Sequence, residues 1–396
     1  ARFSTGGSTH ANQAIILALG KPGDKVAVTR TAHRSVLSAL VLTGLEPIWL
    51  TPEIDSATGV PTGIPVSELV RVLDQKPIAL LLTEPGYLGT ISELSALIKK
   101  AHENSIPVIV DAAWGGHFGF NSQIPQHVLQ LGADALITSV HKALPGYSAS
   151  ALLLAQGKLL NLDRIEQSFE TTHTTSPAGA PLASIDGVRA LLQTRGDQLT
   201  GELVSLVNSF KAAVQAHFAE TIFLNATDFP SKRFDPVKIV LRANILGLSG
   251  VDVERELQQA NIRVEMADRD TIVFLATLAD TAEDFTVLEN ALVPILQKLQ
   301  GPTRQTQTSL SWSVVPTVAI SMRDAYFADT EFVLAKDAIG RISADLIAPY
   351  PPGVAVVAPG EVLTEQIVSG LAATQKAGVR IAYASDSTLA TYRVTK

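Results

Sequence analysis

Three short segments gather residue types that can do chemistry. The first is Ser4-Thr5-Gly6-Gly7-Ser8-Thr9-His10-Ala11-Asn12, a glycine-rich loop ahead of an apolar helical pattern. Glycines such as Gly7 let the backbone turn tightly, and Ser8 or Thr9 is placed to cap the helix. Free N–H groups and hydroxyls at a helix N-terminus suit a phosphate. An ordinary capped turn uses the same residues. In the second segment the apolar run Val108-Ile109-Val110 ends in Asp111, followed by Ala112-Ala113-Trp114-Gly115-Gly116-His117. A carboxylate there is partly desolvated and needs a partner. A helix N-terminus would serve, and so would a cationic ligand atom such as a pyridinium nitrogen. The third segment, Leu136 to Gly146, sets Lys142 just past another apolar run, behind Ser139 and His141. A lysine desolvated in a cleft holds its proton less tightly and can form a Schiff base. Most lone lysines simply face solvent. His33 follows a further apolar run, where it can lie on a ring face or cap the helical pattern opening at Ser35.

Each segment alone is weak, and the combination carries the argument. A phosphate cradle, a strand-end Asp111 and, 31 residues later, Lys142 behind Ser139 and His141 are what a pyridoxal 5'-phosphate site of the aspartate-aminotransferase fold requires. Competing signatures are missing. The sequence has no P-loop, no Gly-x-Gly-x-x-Gly after a strand, no His-Glu-x-x-His and no Gly-x-Ser-x-Gly elbow.

Apolar runs at Val26–Thr29, Pro47–Leu50, Ile78–Thr83, Val108–Asp111, Ala135–Thr138 and Ala151–Leu154 predict strands buried on both faces. Helices are predicted between them at Ala11–Leu19, Ser35–Leu42, Ser67–Leu73, Ser92–Asn104 and Gln126–Leu131. This βαβα rhythm predicts an α/β large domain on a mostly parallel sheet, with ligands at the carboxyl ends of the strands. Beyond it, Pro181 to His217 reads as long helices. Val237–Leu241, a helix over Val251–Gln259 and Thr271–Leu275 read as a smaller α+β unit. The polar stretch Gly301 to Thr308 reads as a linker to a last module. Domains are therefore expected at 1–190, 191–300 and 301–396.

Composition fits this. The 396 residues are 46% hydrophobic and 17% charged, with a formal net charge of -7 and no cysteine. A large buried core is expected, and disulfides and thiolate metal sites are excluded. The mild acidity, with no basic cluster, argues against a nucleic-acid binder. No apolar run reaches the roughly 18 residues of a membrane span. A cytoplasmic location is expected. The sequence opens at Ala1 and both methionines are interior, so its start is read as lying inside a coding sequence.

On these residues the sequence resembles the bacterial ornithine/lysine/arginine decarboxylases, pyridoxal-phosphate enzymes of fold type I. Seven family motifs occur in order: Gly6 to Asn12; Arg30-Thr31-Ala32-His33-Arg34-Ser35; Thr83-Glu84-Pro85-Gly86-Tyr87-Leu88-Gly89; Asp111 to His117; Ser139 to Leu144; Thr174-Thr175-Ser176-Pro177; and Pro349-Tyr350-Pro351-Pro352-Gly353 with Pro359-Gly360-Glu361. The resemblance implies that Lys142 binds the cofactor covalently, Asp111 pairs with the pyridine nitrogen and His33 stacks on the ring. It implies Ser8, Thr9 and Ser139 for the phosphate, and Ala113 and Trp114 against the ring. His141 would touch the cofactor or the substrate carboxylate, and His141 or Lys142 would return the proton after CO2 leaves. Thr175 and Ser176 would reach the site across the interface of a homodimer or higher homo-oligomer. Ser176 before Pro177 reads equally well as a helix N-cap. Glu265 would face a cationic substrate side chain, or sit on the surface at a strand end. Lysine, ornithine and arginine remain equal candidates for the substrate. Family members also carry a segment ahead of the glycine-rich loop, and Gly86 and Ala112 depart from the usual residues. Two other readings stay open: another fold type I enzyme such as an aminotransferase, with Arg242 as its carboxylate arginine, or a catalytically silent regulatory homologue.

Overall fold

Apolar runs without polar alternation need cover on both faces, and the chain supplies it with crossover helices. The computed structural model describes residues 1–350 and 352–396, so Pro351 of the Pro349–Gly353 motif lies outside the described residues. The first body runs β1 (Arg2–Ser4), α1 (Gly7–Leu19), β2 (Lys25–Thr29), α2 (Arg34–Thr43), β3 (Glu46–Leu50), a short hairpin of β4 (Glu53–Ile54) and β5 (Pro61–Gly63), α3 (Val66–Val72), β6 (Leu80–Thr83), α4 (Leu94–His102), β7 (Val108–Asp111), β8 (Ala135–Ser139) and β9 (Ala151–Ala155). Seven of these strands form one sheet in the order β1-β9-β8-β7-β6-β2-β3. Pairing is parallel from β8 to β3 and antiparallel for β8/β9 and β9/β1. Successive residues of each strand enter opposite layers. Val26, Val28, Leu81, Ile109 and Ile137 pack with Ile15 of α1 and Leu37 of α2. Ala27, Leu80, Leu82, Val110 and Leu136 pack with Leu69 of α3 and Leu97 of α4. This is the α/β architecture expected.

After α5 (Leu162–Thr172), helix α6 (Gly179–Gln215) leads to a second body of β10 (Lys238–Arg242), α7 (Gly250–Gln259), β11 (Met266–Ala267), β12 (Thr271–Leu275) and α8 (Ala282–Leu299). Its sheet has the order β10-β12-β11 and is antiparallel throughout. The core joins Val207, Phe210 and Val214 of α6 to Ile239, Leu241, Ile272 and Leu296. Helix α6 also touches the first body, where Asn121 Nδ2 donates to Asp197 Oδ1 at 2.8 Å. Residues 300–308 carry no helix or strand but lie along the second body, with Arg304 N donating to Asn244 O at 2.9 Å.

The last module holds α9 (Leu310–Ser313), α10 (Met322–Phe327), β13 (Thr330–Leu334), α11 (Ala335–Ala338), β14 (Ala348–Tyr350), α12 (Glu365–Lys376), β15 (Arg380–Ala382) and β16 (Thr391–Thr395). Its own core includes Ile347, Val357, Leu363, Ile367 and Val394. Met322, Ala355 and Ala358 belong to the layer over α1 and α2, so the module is packed on the large sheet. A buried ion pair ties the two. Arg30, just past β2, donates Nη1 to Glu361 Oε1 at 2.5 Å, Nη2 to Oε2 at 2.9 Å and Nη2 to Val356 O at 3.0 Å. The guanidinium also lies 4.7 Å from the Trp49 ring centroid. Both side chains are about fully enclosed, with 2% and 1% exposure.

Several expectations are corrected. Gln126–Leu131 forms turns, not a helix. Helix α1 begins at Gly7, four residues before Ala11, and α4 begins at Leu94. The long helices expected after Pro181 are one 37-residue helix, which runs unbroken through residue 190. Ser176 caps nothing: the N-cap of α6 is Ala178, without a side-chain bond.

Removing one member of a fully buried pair strands the other charge, which costs roughly 3–5 kcal/mol. Glu361→Ala is therefore expected to lower the urea midpoint markedly, and Arg30→Met with Glu361→Leu to restore much of it. An unchanged midpoint for Glu361→Ala would refute the role given to the pair.

Candidate active site

The carboxyl ends of neighbouring parallel strands lie side by side at one edge of the sheet. Thr83 of β6 pairs in register with Asp111 of β7, and Asp111 with Ile137 of β8. The loops leaving these strands close a cavity lined by His33, Thr83, Pro85, Tyr87, Asp111, Ala113, Trp114 and Lys142. Five of the residues expected from the sequence thus meet in one space: His33, Asp111, Ala113, Trp114 and Lys142. The position is the one an open α/β sheet offers a ligand.

Asp111 is buried, and its carboxylate is held by two donors. Asn12 Nδ2 reaches Oδ2 at 2.8 Å and the Ala113 amide reaches Oδ1 at 3.1 Å. Two bonds leave acceptor capacity on both oxygens for a further N–H donor. Asn12 also donates to Ser35 Oγ at 3.0 Å, and Ser35 Oγ lies 2.8 Å from His33 Nδ1. The Ser35 amide donates to the same Nδ1 at 3.2 Å, so Nδ1 is an acceptor and the neutral ring carries its proton on Nε2. His33 is at once the N-cap of α2 and a wall of the cavity. Burial lowers its pKa, with Asp111 opposing and Lys142 reinforcing the shift. Burial also lowers the pKa of Lys142, against the pull of Asp111 and Glu265. Lys142 Nζ lies 5.2 Å from the Trp114 ring centroid. Tyr87 stands edge-on to Trp114 at 5.7 Å, and burial raises its pKa.

At the start of α1, Gly7 takes φ +68, a left-handed conformation that favours glycine, and its amide donates to Ala149 O at 2.7 Å. The N-cap is Gly6, with no side-chain bond, so Ser8 and Thr9 occupy the first turn and do not cap it. Ser8 Oγ instead lies 2.8 Å from Ser139 Oγ, joining the glycine-rich loop to the end of β8. Thr9 is exposed. His141 Nδ1 donates to Ser150 O at 2.9 Å, which leaves Nε2 as the acceptor of the neutral ring. The donor types fit pyridoxal phosphate: a carboxylate with acceptor capacity to spare and a desolvated amine line the cavity, and an uncapped helix start beside two hydroxyls stands outside its lining.

The other expected residues stand apart. Thr175 and Ser176 are exposed, and Ser176 N donates to Thr174 Oγ1 at 3.3 Å. Glu265 is exposed, yet its charge acts on Lys142 and on Lys238. Sequence reasoning missed the parts played by Asn12, Ser35, Thr83 and Tyr87. All four lie inside the recognised motifs, and that position was the available signal. Lys238 lies in no motif and had none.

The sequence matches the Orn/Lys/Arg decarboxylase major domain over residues 1–231 and the C-terminal domain of the same family over residues 304–381. An arginine decarboxylase of Bacillus subtilis (strain 168) is 35% identical over an alignment of 403 residues, which covers all of this chain and 82% of that one. A lysine decarboxylase of Pseudomonas aeruginosa is 23% identical, over 92% of this chain and 63% of its own. Among solved structures, the Francisella novicida lysine decarboxylase superposes with a TM-score of 0.84 at 19% identity, covering all of this chain and 69% of that chain. The ureidoglycine–glyoxylate aminotransferase of Bacillus subtilis gives 0.59 at 17% identity, over 76% and 80%. Both share the fold. With both domain matches and a relative aligned along the whole of this chain in agreement, the chain belongs to the Orn/Lys/Arg decarboxylase family and is a pyridoxal-phosphate-dependent amino-acid decarboxylase.

Proposed function

We propose that the chain acts on arginine in preference to lysine or ornithine, releasing CO2 and the corresponding amine. One observation carries the choice among basic amino acids: the relative named arginine decarboxylase matches the whole chain at 35% identity, and the one named lysine decarboxylase at 23%. When bound, pyridoxal phosphate supplies a ring that accepts the electron pair left as the bond between Cα and the carboxylate breaks.

Lys142 is the covalent anchor in this reading, because burial favours its uncharged, nucleophilic form. Asp111 keeps the ring nitrogen protonated by holding a negative charge against it, and Asn12 orients that carboxylate. His33 would cover one ring face with its Nε2 proton directed by Ser35, and Ala113 and Trp114 would form part of the wall with Thr83, Pro85 and Tyr87. Gly7, Ser8, Thr9 and Ser139 hold the phosphate at the open helix start. His141 or Lys142 returns a proton to Cα. Glu265 attracts the cationic end of the substrate, which its effect on Lys142 supports. Thr175 and Ser176, exposed on their own chain, enter the site of a second copy in a homodimer. Among the described residues no helix is long and apolar enough to cross a membrane.

Incubation with pyridoxal phosphate and each basic amino acid, with measurement of CO2 and identification of the amine, tests the function. Turnover of lysine or ornithine above arginine would reverse the substrate choice, and no CO2 from any would reject the reading. Lys142→Ala is expected to lose both turnover and the visible absorbance of lysine-bound cofactor. Asp111→Asn should lower kcat by about 10²–10³, the usual cost of removing one preorganised electrostatic group. Asn12→Ala should lower it by about 10–100-fold, as for outer partners that orient a ligand. In the apoprotein, a lowered Lys142 pKa leaves more neutral amine at any pH below the usual lysine range. Lys142 should therefore be acylated at pH 8 faster than the average exposed lysine, as read by peptide mass spectrometry.

A further inference from the structure

One buried charge takes no part in the roles above. Lys238 opens β10, is 2% exposed, and its Nζ has no hydrogen-bond partner among the described residues. That Nζ lies 3.4 Å from the centroid of the Trp114 ring. Trp114 lines the cavity that holds Lys142, whereas Lys238 does not. The same indole is thus shared by two lysines, Lys142 within the cavity and Lys238 outside its lining.

The surroundings grip the Lys238 side chain. Gly89 has φ +89, and a Cβ added there would fall 2.9 Å from Cβ and Cγ of Lys238, so only glycine leaves room for the stem. The Lys238 amide donates to Asp235 O at 3.0 Å, and the Asp235 amide to Gly89 O at 2.8 Å. Asp235 is buried and accepts from His117 Nε2 at 3.1 Å, while its Oδ2 has no partner. Lys211 of α6 donates Nζ to the Lys238 carbonyl oxygen at 3.0 Å. Asp235 and Glu265 attract the Lys238 ammonium and Lys142 repels it. His117 acts on it through Asp235.

A buried ammonium without a direct hydrogen bond costs stability, and a methionine of similar length would fill the space without that cost. The aromatic face is the feature in contact that specifically rewards a cation. We propose that Lys238 is a positioning residue for the decarboxylation: its amine, docked on the Trp114 indole, fixes that wall of the cavity and adds positive charge near Lys142, favouring the uncharged form of the Lys142 amine. The inference rests on Lys142 being the reactive lysine of the site. Burial, the largest effect on Lys238, brings its pKa down to about 7 against the pull of Asp235 and Glu265, so its charge changes in the neutral range.

The test uses Lys238→Met and Lys238→Arg in the full chain. In the apoprotein, tryptophan fluorescence is titrated from about pH 5.5 to about pH 9, a range that spans this group. The part due to Trp114 is identified by its loss in Trp114→Phe. The native chain should show a Trp114 transition that both Lys238 variants lack, since methionine is uncharged and arginine stays charged. Acylation of Lys142 at about pH 6, where the Lys238 amine still carries its charge, should slow about threefold in Lys238→Met and remain near native in Lys238→Arg. In the holoenzyme, Lys238→Met should lower kcat about tenfold with KM nearly unchanged, as for lost orientation, and should not lower Tm. A Trp114 transition that persists in Lys238→Met, or native Lys142 reactivity in that variant, would overturn the proposal. Failure of Lys142→Ala to abolish cofactor binding would instead reject the site, and the apoprotein fluorescence does not depend on that result.

Discussion

An ionised carboxylate at the end of a strand buried on both faces is the constraint that the rest of this molecule answers. Asp111 cannot keep its charge among apolar layers without donors, and none comes from its own strand. Asn12 supplies one from α1, and the turn after the strand supplies another through Ala113. Asn12 in turn fixes Ser35, and Ser35 fixes His33, so the requirement of one carboxylate is passed through two helices to the opposite wall of the cavity. Lys142 arrives from the adjacent strand, and its desolvation is moderated by the same carboxylate.

The other two bodies act on this edge of the sheet without lining the cavity. The last module leans over it: Arg34, next to His33, lies 4.4 Å from the Tyr383 ring centroid, and Tyr87 faces Trp312 at 6.4 Å. The second body approaches through β10 and the strand-end residue Glu265, whose charges reach Lys142 and Trp114. The antiparallel sheet of that body and the long helix α6 bring these groups to the large sheet from outside it.

The sheet and the heart of the site were legible because both follow from local rules. Short apolar runs give buried parallel strands, and polar residues at their ends give the cavity, so Asp111, Lys142 and His33 could be found one strand at a time, whereas Ala113 and Trp114 came from the family resemblance. Gln126–Leu131 misled because Val128, Leu129 and Leu131 have helical spacing. Six residues between Pro125 and Gly132 are too few to repay helix nucleation. Ser8 follows two glycines as a cap would, but the helix opens at Gly7, ahead of it, and the Ser8 hydroxyl meets Ser139. The partners of Asn12, marked only by its motif, and of Lys238, marked by nothing, were hidden for a different reason. Those partners, Asp111 and Trp114, lie 99 and 124 residues away, and no periodicity encodes such a meeting.

The Arg30–Glu361 pair joins residues separated by 331 positions. At a synthesis rate of about 5–20 residues per second, Glu361 leaves the ribosome roughly 15–65 s after Arg30. Throughout that interval the guanidinium beside β2 lacks its native partner. The burial of Arg30 at that corner of the large sheet cannot be completed before Glu361 is made. Completion of that corner, three positions from the cavity residue His33, therefore waits on the last module.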